Sequence, residues 1–269
     1  MPGQFFRSLH QGPGILLLPN AWDAVTARLI ESLGAKAVAT TSAGLAWSRG
    51  YPDGNALPED QLIAAIRDIA RVIRLPLTVD IEAGYSGNPG AVARLVARIL
   101  TVGVVGINIE DGAGSAELLC KKIEAIREHV VHSGVDLYIN ARTDVYLGGI
   151  AFGEAAVGET VRRAARYRAA GCDGLFVPGL VAADAMAAIS TAIEPTPLNV
   201  MVVPNLPSMD VLQESGVRRL SAGSSIAQAA LGCTRRIAAG FLAGTVSEMF
   251  DASMDYHAVN QLFAATGHD

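Results

Sequence analysis

The feature that most constrains the fold is a regular alternation of short apolar runs with longer amphipathic stretches along the whole chain. In eight runs the apolar residues are mostly consecutive rather than alternating with polar residues, as in parallel strands buried on both faces. They are Ile15–Asn20, Ala37–Ser42, Leu77–Glu82, Gly106–Asp111, Leu137–Asp144, Gly174–Gly179, Asn199–Pro204 and Arg218–Gly223. The stretches between them have helical periodicity, as in Asp60–Arg74, Gly90–Val102, Leu118–His132 and Glu159–Ala170. Eight β-then-α units in 269 residues predict a (β/α)8 barrel, the TIM-barrel fold.

Glycines support these boundaries, because glycine readily takes the left-handed conformation that ends a helix. Gly34, Gly103, Gly134, Gly171 and Gly216 each stand just before a predicted strand. The alternative fold is an open doubly wound sheet, but no Gly-x-Gly-x-x-Gly turn follows the first strand. We find no domain boundary. We therefore expect one barrel domain over residues 1–269, with residues 245–269 as a helical tail.

The C-terminal part predicts an assembly. We assign the eighth helix to Ile226–Leu242 and expect it to complete the outer ring. The tail then carries one more predicted helix, Val246–Phe263, with an apolar stripe of Met249, Phe250, Met254, Tyr256, Val259, Leu262 and Phe263. This stripe covers either its own barrel or a second subunit, since a monomer would otherwise expose it.

Composition excludes several classes of function. The chain is 51% hydrophobic and 17% charged, and its net charge of −5 argues against a nucleic-acid or anionic-membrane surface. No apolar run has the length of a membrane span, and Met1–His10 has no signal-peptide core. The cysteines, Cys120, Cys172 and Cys233, are far apart and odd in number, which favours a reducing compartment. We expect a cytoplasmic protein.

Acidic residues stand at the ends of neighbouring predicted strands, where barrel enzymes carry their chemistry. Asp80 and Glu82 lie two apart on one predicted strand, so both side chains should share a face, and Glu110 ends the next strand. Such carboxylates repel unless a cation or a shared proton intervenes. With no His or Cys beside them, they predict a site for Mg²⁺ or Mn²⁺. The alternative is a structural network with Arg142.

Other polar residues at strand ends suggest an anionic substrate. Arg142 can bind a planar carboxylate or phosphate, or form a salt bridge with Asp144 or Glu110. Thr41, Ser42 and Ala43, followed by Gly44, would let backbone N–H groups approach an anion, and Asn205 follows the seventh strand. Asp53 stands on the loop beyond, where a turn role is the default.

Histidine and cysteine chemistry is disfavoured. The five histidines, His10, His129, His132, His257 and His268, all lie away from the strand ends, and we expect them on exposed helices or in the tail. A zinc site built on histidine and a Ser-His-Asp triad are therefore not predicted. Cys120 begins a predicted helix beside Lys121 and Lys122, which could lower its pKa, but a half-buried structural cysteine is favoured.

Six motifs, taken together in this order and spacing, carry a family resemblance. They are Pro-Asn-Ala-Trp-Asp-Ala (19–24), Thr-Thr-Ser-Ala-Gly (40–44), Gly-Tyr-Pro-Asp (50–53), Val-Asp-Ile-Glu-Ala-Gly-Tyr (79–85), Asn-Ile-Glu-Asp (108–111) and Ala-Arg-Thr-Asp (141–144). This set resembles the isocitrate lyase/phosphoenolpyruvate mutase superfamily. The resemblance implies a (β/α)8 barrel whose last helix is exchanged in a homodimer or homotetramer. It also implies Mg²⁺ and an enolate derived from a small 2-oxo acid.

The resemblance assigns roles to residues. Asp80 would bind the metal directly, with Glu82, Glu110 and Asp53 as secondary or water-mediated ligands. The 41–43 segment and Arg142 would hold the substrate. Asp53, Glu110 and Arg142 would form the catalytic group, with Asn205 as a further substrate contact.

Two departures bear on the reaction. The family lyases carry a Lys-Lys-Cys-Gly-His segment after the Glu-Asp pair, whereas here a short Gly-rich loop follows Asp111. Val177-Pro178-Gly179 stands where lyases and mutases carry an acid or a histidine. We therefore predict a Mg²⁺-dependent enzyme cleaving a C–C bond of a 2-oxo acid or dicarboxylic acid, as a lyase, decarboxylase or oxaloacetate-type hydrolase. The alternatives are a phosphonomutase acting on phosphoenolpyruvate or carboxyphosphonoenolpyruvate, and a 2-oxo-acid-binding protein without turnover.

Overall fold

The computed structural model describes residues 2–131, 134–251 and 253–264. All pairings in its sheet are parallel, and the strand order is β1-β9-β8-β7-β6-β5-β4-β3-β2. The strands are β1 (Leu16–Leu18), β2 (Asn20–Ala21), β3 (Val38–Thr40), β4 (Leu77–Asp80), β5 (Gly106–Glu110), β6 (Tyr138–Arg142), β7 (Gly174–Phe176), β8 (Leu198–Met201) and β9 (Val217–Ser221). Because β1 and β2 are consecutive pieces of chain, the sheet closes into a nearly complete barrel. This confirms the predicted fold.

Helices surround the barrel and alternate with its strands. They are α1 (Pro2–Ser8), α2 (Ala24–Ser32), α3 (Ser42–Ser48), α4 (Glu59–Val72), α5 (Pro89–Leu100), α6 (Ala116–Val130), α7 (Gly153–Ala170), α8 (Ala183–Ile193), α9 (Met209–Glu214), α10 (Ser225–Leu242) and α11 (Tyr256–Ala264). The left-handed conformation predicted for the five glycines is confirmed, since all five have positive φ and Gly171 (φ 110°) caps α7. Among the described residues, no helix is both long and apolar enough to cross a membrane.

The first predicted strand is divided at Pro19. β1 pairs with β9 and β2 pairs with β3, so this short stretch joins the two ends of the sheet. The Asn20 side chain bridges the join, because its Oδ1 accepts from the Gly223 N–H at 2.9 Å and its Nδ2 donates to the Thr40 carbonyl at 2.7 Å. A buried amide on β2 thus connects β3 with the segment that follows β9.

The short helix α1 closes the opposite end of the barrel from the predicted site. Phe6 is fully buried there and packs edge-on against Tyr138 at the start of β6. Arg7 forms ion pairs with Asp136 at 2.7 Å and Asp173 at 2.6 Å. His10 is only 4% exposed, stacks on Tyr138, and donates from Nδ1 to the Phe6 carbonyl. The expectation that every histidine is exposed is therefore wrong for His10, because tertiary packing buries a segment that has no periodic apolar pattern.

His10 should make the protein sensitive to acid. Burial, reinforced by the positive charges of Arg219 and Arg7, lowers its pKa to about 3. In the unfolded chain, histidine has a pKa near 6.5 and binds a proton more readily. The contribution of neutral His10 to the free energy of unfolding is therefore fully present above pH 6.5 and is lost as the pH falls towards 3. Between pH 7.5 and 5.0 this linkage removes about 2 kcal/mol from the free energy of unfolding. Denaturant unfolding should show that His10→Asn loses this component, whereas exposed His129→Asn keeps it. An equal pH dependence in wild type and His10→Asn would refute the assignment.

The C-terminal helices differ from expectation. The helix α10 does not complete the outer ring, because Ala227 is its one buried residue. Among the described residues, no helix covers the apolar groove of about 770 Å³ between β1 and α2, where Leu17 is 54% exposed. The predicted tail helix is also interrupted, since a 3₁₀ turn at Ser247–Met249 precedes α11. Periodicity identifies helical segments but not the surface on which they pack.

The apolar stripe of the tail is divided between two environments. Phe263 packs against the core, and the Leu262 carbonyl accepts from Arg28 Nε at 2.6 Å, so α11 lies on its own barrel. Met249, Phe250, Met254 and Tyr256 are exposed. His268 and the rest of the predicted tail beyond residue 264 lie outside the described residues, as does His132 at the predicted end of α6.

Candidate active site

Asp80 stands at the carboxyl end of β4 and faces the mouth of the barrel. Its backbone N–H donates to the Thr40 hydroxyl at 3.0 Å, which aligns the ends of β3 and β4. Its Oδ1 accepts from the Glu82 N–H at 3.0 Å. Burial raises the pKa of the Asp80 carboxyl, although the nearby charge of Arg142 opposes the shift. No cationic side chain among the described residues lies within ion-pair distance of this carboxylate.

Glu82 does not continue the strand, contrary to the prediction. β4 ends at Asp80, and Glu82 lies in a turn with a φ of 51°. Its carboxylate accepts from the Tyr85 hydroxyl at 2.8 Å and from the Asn55 N–H. The turn therefore brings Glu82 close to Asp80 by a sharp change of backbone direction rather than by strand alternation.

The contacts of Glu82 also fix the preceding loop. Asn55 belongs to the exposed segment that contains Asp53, and its Oδ1 accepts from the Tyr85 N–H at 3.1 Å. Asp53 is exposed, but its negative charge contributes to raising the pKa of both Asp80 and Glu82. The structure thus places Asp53 beside the acid cluster, which we define as Asp80, Glu82 and Glu110.

Glu110 ends β5 and is paired with Arg142, which ends β6. The Arg142 Nη1 lies 2.6 Å from Glu110 Oε2, and its Nε and Nη2 contact the two oxygens of Asp144 at 2.7 and 3.0 Å. Burial raises the pKa of Glu110 in spite of the arginine. Both salt bridges considered from the sequence are therefore present. Arginine has five N–H donors, so Arg142 retains capacity for a ligand.

The segment after β3 forms the neighbouring wall. Thr41 precedes α3, and Thr41, Ser42 and Ala43 are all buried at its first turn. Gly44 has a packing role, since a Cβ there would lie 2.7 Å from the Trp22 Cβ. Asn205 is not at a strand end, because β8 ends at Met201 and Asn205 occupies an exposed turn with a φ of 64°.

A buried polar belt lies beneath the acid cluster, and sequence reasoning missed it. Asn140 Nδ2 donates to Asn108 Oδ1 and to Asn199 Oδ1, both at 2.9 Å. Arg219 is fully buried and donates from Nη2 to Asn108 Oδ1 at 3.2 Å, while its Nη1 has no partner. Burial lowers the pKa of Arg219 to about 10. The sequence does carry one signal for this belt, because Arg219 is a charged residue in the middle of a short strand.

Lys122 was also missed as a site residue. It is buried on α6, and its Nζ donates to the Ala83 carbonyl at 2.7 Å, within the turn that carries Glu82. Cys120 is half-buried, and burial raises the pKa of its thiol rather than lowering it. The half-buried position of Cys120 is the one expected from the sequence.

The donor set fits a hard cation bound through few protein ligands. Glu82 and Glu110 already have close partners, so they suit indirect contacts, whereas Asp80 has the least satisfied carboxylate of the three. Within the described residues, no three His, Cys, Asp or Glu side chains are grouped closely enough to form a metal cage. Mg²⁺ commonly uses one or two carboxylates and keeps several waters, so Asp80 as the direct ligand is compatible with this ion.

Sequence comparisons give a consistent result. The family model for phosphoenolpyruvate phosphomutase matches residues 6–242. An uncharacterized protein of Mycobacterium tuberculosis is 38% identical over 223 residues, which cover 81% of each chain. The oxaloacetate decarboxylase of Bradyrhizobium diazoefficiens is 31% identical over 194 residues, covering 69% of this chain and 66% of that enzyme.

Solved structures agree with this result. A Burkholderia cenocepacia protein, provisionally described as a lyase or mutase, has a TM-score of 0.88 at 35% identity and covers 98% of this chain and 96% of its own. A phosphonopyruvate hydrolase complex with oxalate and Mg²⁺ has a TM-score of 0.83 at 23% identity, covering 97% of this chain and 94% of its own. The latter likeness shows the fold alone.

Proposed function

Since the chain belongs to the phosphoenolpyruvate mutase family of the isocitrate lyase/phosphoenolpyruvate mutase superfamily, we propose that it is a divalent-metal-dependent enzyme that cleaves a carbon–carbon bond of a small 2-oxo acid. The observation that carries this proposal is the juxtaposition of the acid cluster with Arg142 at the ends of three neighbouring strands. Relatives named as a lyase and a decarboxylase support the reaction class.

Each residue has a role that follows from its contacts. When bound at Asp80, Mg²⁺ or Mn²⁺ would stabilise negative charge developing on the 2-oxo oxygen of the substrate. The remaining N–H donors of Arg142 bind the adjacent carboxylate, with the first turn of α3 as a second anchor. Glu110 and Asp144 hold the guanidinium in place. Asp53, on its exposed loop close enough to raise the pKa of Asp80 and Glu82, would contact the metal through water.

The phosphonomutase alternative has less support in this chain. The residues after β7 are Val177, Pro178 and Gly179, so no acidic or basic side chain stands there to handle a phosphoryl group. A related protein described as a phosphonomutase makes this activity the second candidate. Turnover of a phosphonate substrate in place of 2-oxo acids would establish it.

Calorimetry and turnover assays test the proposed function together. Oxalate should bind only when Mg²⁺ or Mn²⁺ is present, and a panel of 2-oxo acids should include a substrate that releases a C–C cleavage product. Oxalate binding without turnover of any member would favour the binding-protein alternative. Oxalate binding that ignores the metal would refute the proposal.

We also propose that the protein is a homodimer or a dimer of dimers in which α10 of each subunit covers the groove between β1 and α2 of the other. Three exposed apolar residues of α10, Leu231, Phe241 and Leu242, match this groove in character. Light scattering should show that Leu231→Asp lowers the mass, whereas Ala229→Asp, two positions away on another face of the same helix, does not. A monomeric wild-type protein would contradict the assembly.

A further inference from the structure

A cavity of about 380 Å³ adjoins the acid cluster on its outer side. It lies between the turn after β4 and the beginning of α6, and its wall includes Glu110, Tyr85, Leu118 and Lys122. The loop at Gly112–Ser115 is short, so it leaves the cavity open beside Glu110. Glu110, which pairs with Arg142, also belongs to the wall of this cavity, so Glu110 is the residue that the cavity shares with the acid cluster.

Lys122 gives the cavity a positive charge. The residue is 4% exposed, and its Nζ makes one hydrogen bond, to the Ala83 carbonyl. An ammonium group has three donors, so two are available. Within residues 2–131, 134–251 and 253–264, no carboxylate forms an ion pair with Lys122. A buried charge without a counter-ion is costly, and burial accordingly lowers the pKa of this amine.

The carboxylates that share the cavity do not neutralise Lys122. Glu110 is paired with Arg142, and Asp111 is bound by Arg163 at 2.7 Å and by the Thr143 hydroxyl at 2.9 Å. The cavity wall is otherwise largely uncharged, with Leu118 and Ala113 on the side of α6. An anionic group entering the cavity would thus meet one uncompensated ammonium group.

We propose that Lys122 binds the distal carboxylate of the substrate and makes the site selective for 2-oxo dicarboxylic acids. This inference rests on the proposed function, because the other end of the substrate is held at Asp80 and Arg142. A dicarboxylate would span from Arg142, past Glu110, to Lys122. The competing interpretation is that Lys122 only anchors the turn at Ala83.

Matched ligands separate these interpretations. With Mg²⁺ present, we would measure the affinities of oxalate and of two pairs: oxaloacetate against 2-oxobutanoate, and 2-oxoglutarate against 2-oxopentanoate. Each pair differs by replacement of the distal carboxylate with a methyl group. In the wild type, one dicarboxylate should bind at least about tenfold more tightly than its partner, as expected for one charge-assisted hydrogen bond. In Lys122→Met this ratio should fall to near one, while the oxalate affinity stays within about twofold.

A second variant keeps the ammonium group, so it tests the inference even if Lys122→Met does not fold. Leu118→Trp should fill the cavity and weaken binding of the preferred dicarboxylate without changing that of oxalate. Four results would overturn the inference: no preference in the wild type, an unchanged preference in Lys122→Met, an equal loss of oxalate binding in Lys122→Met, or unimpaired dicarboxylate binding in Leu118→Trp. If wild-type protein fails to bind oxalate with Mg²⁺, the proposed function itself fails, and that outcome is distinguishable from the others.

Discussion

Asp80→Ala should abolish metal-dependent turnover, with a loss of at least about a thousandfold, or about 4 kcal/mol of transition-state stabilisation. Asp80 has the least satisfied carboxylate of the acid cluster and stands where three strand ends converge. Its removal also relieves repulsion among buried carboxylates, so the melting temperature should not fall greatly. Calorimetric titration with Mg²⁺ should show the loss of metal binding directly.

Asp210→Ala provides the matched control for Asp80→Ala, since Asp210 is exposed on α9, which follows β8 rather than the strands of the acid cluster. This variant should retain wild-type metal affinity and turnover. Unchanged Mg²⁺ affinity in Asp80→Ala would place the metal elsewhere. Unfolding of that variant would instead assign Asp80 a structural role.

Arg142→Met should lower the affinity for oxalate and maintain or raise the affinity for Mg²⁺. Loss of the guanidinium removes the donors proposed for the substrate carboxylate, so oxalate affinity should fall about a hundredfold. The same change leaves Glu110 and Asp144 without their partner, which makes the site more negative. Mg²⁺ affinity, measured without oxalate, should therefore be maintained or increased.

Arg142→Lys tests whether charge alone suffices. Lysine keeps the charge but cannot contact Glu110 and Asp144 through a planar fork, so its oxalate affinity should lie between those of wild type and Arg142→Met. If both variants bound oxalate as tightly as the wild type, the substrate carboxylate would have to be held elsewhere. A parallel loss of Mg²⁺ and oxalate binding would indicate collapse of the site.

Much of the barrel and its acid cluster could be predicted from the sequence. Continuous apolar runs ending in Asp80, Glu110 and Arg142 have one simple explanation, which is a parallel sheet with polar residues at its carboxyl edge. Errors arose at strand ends. Glu82 has the two-residue spacing from Asp80 that a strand would place on one face, but the backbone turns before Glu82, and spacing alone does not reveal that turn.

Residues whose roles depend on distant neighbours were not predictable. Arg219 and Lys122 resemble ordinary charged residues of a strand and a helix until the fold surrounds them with other elements. The helix α1 has too few apolar residues for a periodic signal, and its stability comes from contacts with β6 and Asp173. The exposed face of α10 was missed because amphipathicity does not specify the surface against which a helix packs.

The division of the first strand at Pro19 determines how the ring can form. The hydrogen bond between Asn20 and Gly223 joins residues 203 positions apart. Its loop-closure entropy is therefore offset only once nearly the whole sheet has formed. Pairing of neighbouring strands is more local and can proceed in steps around the ring. The seam at β1 and β9 should therefore be the last pairing to form and the first to open. Amide exchange would report this order, with Leu17 and Leu220 losing protection before the centre of β5.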